Sequence, residues 1–173
     1  PEKEVQLDKK QTNNSINIRD DSDQIKGYLE LDDALSKNNR VKIQTARLKG
    51  SISLKGLKFD DLILKDYQKK LEDKNNFVRL LKPKTTKNGY FSNFYWNKED
   101  SLQIGLPDND TIWSTNNNTL TDKEPVVFTW TNQQNIEFQQ EISVDENYMF
   151  TIKQTIRNNS ENDISLSPFA RIQ

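Results

Sequence analysis

The side chains with chemical potential in this 173-residue chain are its carboxylates and its aromatics. Asp60-Asp61 and Asp108/Asp110 each set two acids side by side, as a general acid and a general base would need. Asp20-Asp21-Ser22-Asp23 gathers the oxygen donors that calcium takes. It lacks the central Gly and the closing Glu of an EF-hand loop, so no metal site is assigned. The first acid pair lies in a strand pattern beside Leu62 and the second in a Pro-initiated turn, so turn and strand-edge roles are expected. Acids at a strand edge also discourage unwanted sheet pairing. The chain has no histidine and no cysteine. That removes the usual general base near neutral pH, the Ser-His and Cys-His nucleophile pairs, thiolate metal sites and disulfides. No catalytic residue and no cofactor is therefore assigned, and the chain is not expected to be an enzyme.

The aromatics suggest binding instead. Tyr90, Phe91, Phe94, Tyr95 and Trp96 form a dense block, with Trp113 and Trp130 further on. Rings of this kind line grooves for sugars or peptides. They also anchor cores that are poor in other large side chains. Trp130, at the end of a strand pattern, is expected in the core. Tyr90, Trp96 and Trp113, flanked by polar loops, are the candidates for a peptide or ligand groove. The Asn-X-Ser/Thr triplets beginning at Asn13, Asn109, Asn117 and Asn158 are what an Asn-rich chain contains by composition.

The elements that must position these residues are almost all strands. In Arg47–Tyr67, Leu48, Gly50, Ile52 and Leu54 alternate with Lys49, Ser51, Ser53 and Lys55. Gly56 breaks the run, and Phe59, Leu62, Ile63 and Leu64 begin a second strand. Ile136, Phe138, Ile142 and Val144 share one parity, interrupted by Gln140. After Asp145-Glu146-Asn147, which has turn chemistry, Tyr148, Phe150, Ile152 and Ile156 continue it on even positions while Thr151, Lys153, Thr155 and Arg157 face away. One apolar and one polar face is what an antiparallel sheet with one buried side requires. Pro125–Trp130 reads as a strand with Pro at its first position, and Ile164–Ser167 starts another. A short helix is expected over Leu31–Lys37, with Asp32 or Asp33 as its cap and Asn38-Asn39 as its end. Residues 83–89 and 107–122 read as long polar loops. The spacing of strands and turns indicates a sandwich.

Composition sets the outer limits. Only 32% of residues are apolar, and residues 1–30 are so rich in charged and amide side chains that they read as a polar tether; residues 31–173 form the domain. Net charge is −1, from 25 basic and 26 acidic residues well mixed along the chain, which argues against a nucleic-acid partner. No stretch approaches the roughly 20 apolar residues of a membrane helix.

Several stretches, in order, resemble the periplasmic domain of YidC-type membrane protein insertases, in their alphaproteobacterial spelling. They are LDDALSKNNRVKIQTARLKGSISLKGLKFDDLILKDY (31–67), FVRLLKP (77–83), Trp113, the strand 125–130, the hairpin 136–158 with its YMFTIKQTIRN return, and LSPFARI (166–172). The resemblance implies an antiparallel β-supersandwich, similar to galactose mutarotase-like proteins, on the periplasmic side of the bacterial inner membrane. It implies a parent protein anchored through membrane helices absent from this chain. That parent assists insertion and folding of membrane proteins, with Sec translocon components and nascent membrane proteins as partners. In the family the domain continues with further strands, so a chain stopping at Gln173 is expected to show an incomplete second sheet or to self-associate through exposed strand edges. Mutarotase-type catalysis needs histidines that this sequence lacks. The alternative reading is a carbohydrate-binding module of the same fold, which fold alone would not exclude.

Overall fold

The computed structural model describes residues 27–70, 72 and 75–173. The first 26 residues of the expected tether, including the Asp20–Asp23 cluster and the Asn13 triplet, lie outside the described residues. Among the described residues one helix, α1 (Leu31–Ser36), precedes eleven strands: β1 (Arg40–Gln44), β2 (Leu48–Ser53), β3 (Lys58–Gln68), β4 (Phe77–Leu81), β5 (Ser92–Lys98), β6 (Ser114–Thr115), β7 (Thr119–Leu120), β8 (Val126–Thr131), β9 (Ile136–Val144), β10 (Phe150–Asn158) and β11 (Leu166–Ile172). Seven strands form one sheet in the order β11-β5-β3-β2-β1-β7, with β4 paired to the far end of β3. Four form the other, in the order β10-β9-β8-β6. Pairing is antiparallel except between β1 and β7. The chain is an all-β sandwich, as its patterning predicts.

The period-two pattern survives because each sheet buries one face. β9 alternates buried and half-buried positions along its whole length, with Ile136, Phe138, Ile142 and Val144 pointing inward. From the large sheet Val41, Ile43, Leu48, Ile52, Phe59 and Leu62 meet them in a single cluster. Rings stitch the layers together: Phe59 of β3 meets Phe150 of β10 edge-on at 5.6 Å, and Trp96 of β5 meets Phe138 of β9 at 5.1 Å. Trp130 packs at the margin of this core, 5.7 Å from Phe138. Gln140 breaks the apolar parity yet is fully buried, and its Nε2 donates to the Phe94 carbonyl at 2.6 Å. Gln154 of β10 donates to the next carbonyl, Tyr95, at 3.3 Å. Two amides thus tie the small sheet to β5.

Several local expectations need correction. The N-cap of α1 is Glu30, without a side-chain capping bond; Asp32 and Asp33 lie in the first turn, where acids favour the positive end of the helix. The stretch 107–122 is not one loop. Its two-residue strands β6 and β7 join different sheets, so it crosses the sandwich. Asp60-Asp61 is neither at an edge nor in a turn. Ser51 pairs with Asp61 and Ile52 with Phe59, so Asp60 is the extra residue of a β-bulge. The bulge turns both carboxylates to the face away from the small sheet, where both are buried. Arg40 Nε donates to Ser51 Oγ at 2.7 Å and its guanidinium pairs with Asp60. Ser51 Oγ donates to Asp61 Oδ2 at 2.7 Å, and Arg79 pairs with Asp61. The network spans β1, β2, β3 and β4.

The hairpin between β2 and β3 turns on Gly56 and Leu57, at φ +68° and +45°. Glycine takes the first position without strain, and a Cβ there would also lie 2.7 Å from the Asn109 carbonyl oxygen. Close approach lets Gly56 N–H donate to the Thr111 carbonyl and Trp113 N–H to the Leu54 carbonyl, at 2.8 and 2.9 Å. The 107–113 segment is thereby pinned beside the turn.

Candidate functional site

That pinning, with β5 running past the start of β3, opens a cavity of about 580 Å³. The β3–β5 ladder has only two residue pairs, Lys58↔Asn93 and Phe59↔Ser92, so residues 94–98 of β5 extend beyond it beside the Gly56 turn. Phe94, Tyr95 and Trp96 supply one wall, the Leu106–Asn109 loop and Trp113 another, and Lys58, Lys84 and Arg171 its cations.

Of the three aromatic candidates the structure brings two together. Trp96 and Trp113 stack with ring centroids 6.4 Å apart, and both line the cavity. They do so from the core side, being only 4% and 3% exposed. Tyr90 lies outside it: its backbone bridges to Lys82, and its side chain is 47% exposed. The neighbouring Phe91 lines the cavity instead. The half-buried Phe94 and Tyr95 of the same block offer more accessible wall than the two indoles.

The cationic side of the site was not singled out from sequence. Register explains it. Lys58 of β3 and Arg171 of β11 are both cross-strand partners of Asn93 on β5, so the three side chains form a row on one face. Asn93 Oδ1, between the two cations, is buried and has no hydrogen-bond partner among the described residues. Burial pushes the Lys58 ammonium below its ordinary pKa, against the attraction of Asp60 and Asp110. Those acids already have partners: Asp60 pairs with Arg40, and Asp110 with Lys55 at 2.8 Å. Asp108 also lines the cavity, but its Oδ1 accepts bonds from Asp110 N, Thr111 N and Thr111 Oγ1, which hold its carboxyl below the usual range. No side-chain hydrogen bond or ion pair holds Lys58, Lys84 or Arg171 among the described residues. Asp60 and Asp110 are held by Arg40 and Lys55, and Asp108 stays an anion whose lone pairs are taken up by its own turn.

Asp108 and Asp110 sit in a self-contained turn, and Asp60 and Asp61 in a buried ion-pair network. Neither pair presents acid and base groups to a shared substrate position. No group of three or more acidic side chains among the described residues is placed to hold a metal ion.

Sheet and cavity together define a β-sandwich domain with an aromatic-walled, cation-rimmed groove at one end of its larger sheet. Residues 40–173 match the family model of the YidC periplasmic domain, and the chain belongs to that family. It is 44% identical over 137 residues to the membrane protein insertase YidC of Rickettsia bellii, a match covering 79% of this chain and 24% of that protein. The YidC of Rickettsia felis is 44% identical over 133 residues, covering 77% and 24%. That of Rickettsia canadensis is 43% identical over the same length and shares. The chain thus spans about a quarter of the length of these relatives. The family places it on the periplasmic side of the bacterial inner membrane. No helix among the described residues is long and apolar enough to cross a membrane.

Proposed function

We propose that this chain is a non-catalytic interaction domain of a YidC-type, multi-pass inner-membrane insertase. In this reading it assists insertion and folding of membrane proteins by contacting nascent chains or Sec translocon components. The observation that carries the reading is the family match across 40–173, whose relatives are membrane protein insertases. The groove beside β5 gives it a physical means, because its walls combine apolar rings with unpaired polar groups, as extended-peptide sites do. The carbohydrate-module reading has less support. It needs rings facing solvent beside acceptor pairs, whereas Trp96 and Trp113 are packed inside and only Tyr90 of the three stands free.

The test is photo-crosslinking in native membranes from the complete insertase, with a photoreactive residue at Tyr95 or Leu106. Adducts to membrane-protein segments or Sec subunits are expected from these positions and not from Met149, an exposed residue outside the cavity lining. Equal labelling from all three positions, or adducts from none, would overturn the groove as the contact.

A further inference from the structure

The charges around the groove restrict what fits in it. Lys58 and Arg171 flank Asn93 in one cross-strand row, and Lys84 joins them at the lining; none has an anionic partner among the described residues. Lys58 is half-buried while Arg171 and Lys84 are exposed, so positive charge lines the groove mouth where an anionic group can reach it. We infer that the groove selects extended segments carrying acidic side chains beside apolar ones, with the carboxylates meeting Lys58 and Arg171 and the apolar groups meeting Phe94, Tyr95 and Leu106. The inference rests on the proposed function and narrows its substrate class. Cytoplasmic loops of membrane proteins carry the excess of Lys and Arg, so segments that reach the periplasm are depleted of both. A cation-rimmed groove attracts such segments and repels stretches that should have stayed on the other side. Discrimination of this kind comes as much from repulsion of the wrong charge as from attraction of the right one.

The experiment measures fluorescence anisotropy of three labelled ten-residue peptides against the 173-residue chain at low salt. All alternate Leu and Phe with a polar residue, which is Asp/Glu in the first, Asn/Gln in the second and Lys in the third. The acidic peptide should bind on the order of tenfold more tightly than the lysine peptide, with the neutral one between, and the spread should shrink as salt is raised. In Lys58→Gln/Arg171→Gln the three affinities should converge on that of the neutral peptide. Lys42→Gln/Lys49→Gln removes two exposed cations of β1 and β2 and should leave the ranking unchanged. Circular dichroism and thermal melts establish that both double variants fold. Three equal affinities in the unaltered chain, or a ranking that survives Lys58→Gln/Arg171→Gln, would overturn the inference while groove binding itself stands. Failure of every peptide to bind would overturn both the inference and the groove contact beneath it.

Discussion

Removing Arg40 should test the buried network more sharply than any other single change. The side chains of Arg40 and Asp60 are 11% and 9% exposed, so their pairing takes place largely away from water. In Arg40→Ala the Asp60 carboxylate keeps its burial and loses its cation, and Ser51 Oγ and Ser51 O lose a donor each. Breaking a buried pair on one side costs about 3–5 kcal/mol, because an uncompensated charge remains. With a urea m-value of about 2 kcal/mol/M, the midpoint should fall by about 1.5–2.5 M. The pH dependence supplies an independent check. Burial already pushes Asp60 above the ordinary carboxylate range, with Arg40 as the chief opposing influence. The folded state therefore binds this proton more readily than the unfolded chain does, and stability falls as pH rises from the unfolded pKa, 3.8, through the raised folded value. Without Arg40 the folded value climbs further, so the penalty of the variant should be largest at pH 7 and shrink on acidification. Asp60→Asn in the Arg40→Ala background should restore part of the loss at pH 7, since a neutral amide costs less to bury. Urea titrations at pH 7 and pH 5, followed by tryptophan fluorescence, measure all of this. An Arg40→Ala midpoint within 0.3 M of the parent, a margin of about 0.6 kcal/mol at that m-value, would refute the assignment of the network as a structural element. So would a loss that is the same at both pH values.

The other expectations are simpler. Gly50→Ala places a Cβ 2.1 Å from the Asp61 carbonyl oxygen at the bulge, a backbone atom that cannot swing away, and should cost about 1–3 kcal/mol in urea unfolding. Trp113→Ala empties a buried indole site and should cost about 3–5 kcal/mol, whereas Tyr90→Ala, at an exposed position, should stay within about 0.5 kcal/mol; equal losses in thermal melts would contradict their placement. Lys58→Met should leave stability at pH 7 unchanged or higher while weakening acidic-peptide binding. Because the folded Lys58 pKa is lowered, the unfolded chain binds that proton more readily below 10.5, so the parent gains stability as pH rises toward 10.5 and the variant should lose that slope.

Patterns that repeat every two residues were legible in the sequence, and those that depend on register were not. The β9–β10 hairpin could be read because burial alternates along it and Asp145 closes its turn, the Oδ1 accepting from Asn147 N and Met149 N at 2.8 Å each. Gln140 showed as a break in parity, but its reason lies 46 positions away at a β5 carbonyl. Asp60-Asp61 looked like an edge feature because a bulge leaves no mark in a string of residue types. Only the shifted pairing with β2 reveals that both acids turn the same way. The strands β6 and β7 contain two residues each, too few to carry any period. Trp96 and Trp113 were found as rings but not as neighbours. The groove cations were missed for a related reason: Lys58 and Arg171 are 113 positions apart and become neighbours only through Asn93.

The face of the large sheet turned away from the core therefore holds two kinds of charge. Around the bulge, Arg40, Asp60, Ser51, Asp61 and Arg79 satisfy one another, and the network fixes how β1, β2, β3 and β4 line up. One residue pair from the bulge, Lys58 begins a row with Asn93 and Arg171 in which no ion pair forms and the buried Asn93 Oδ1 has no partner among the described residues. Both sets depend on the same strand, β3, which contributes Lys58, Asp60 and Asp61 within four residues. A neutralised network buried beside an open cationic row lets the sheet keep its register whether or not the groove is filled. Were the row part of the structural network, its cations would have drawn Asp108 or Asp110 to themselves; instead Asp110 pairs with Lys55 and Asp108 closes its own turn. What sets the groove apart is register: Lys58 and Arg171 stand on either side of Asn93, whose buried Oδ1 has no partner among the described residues.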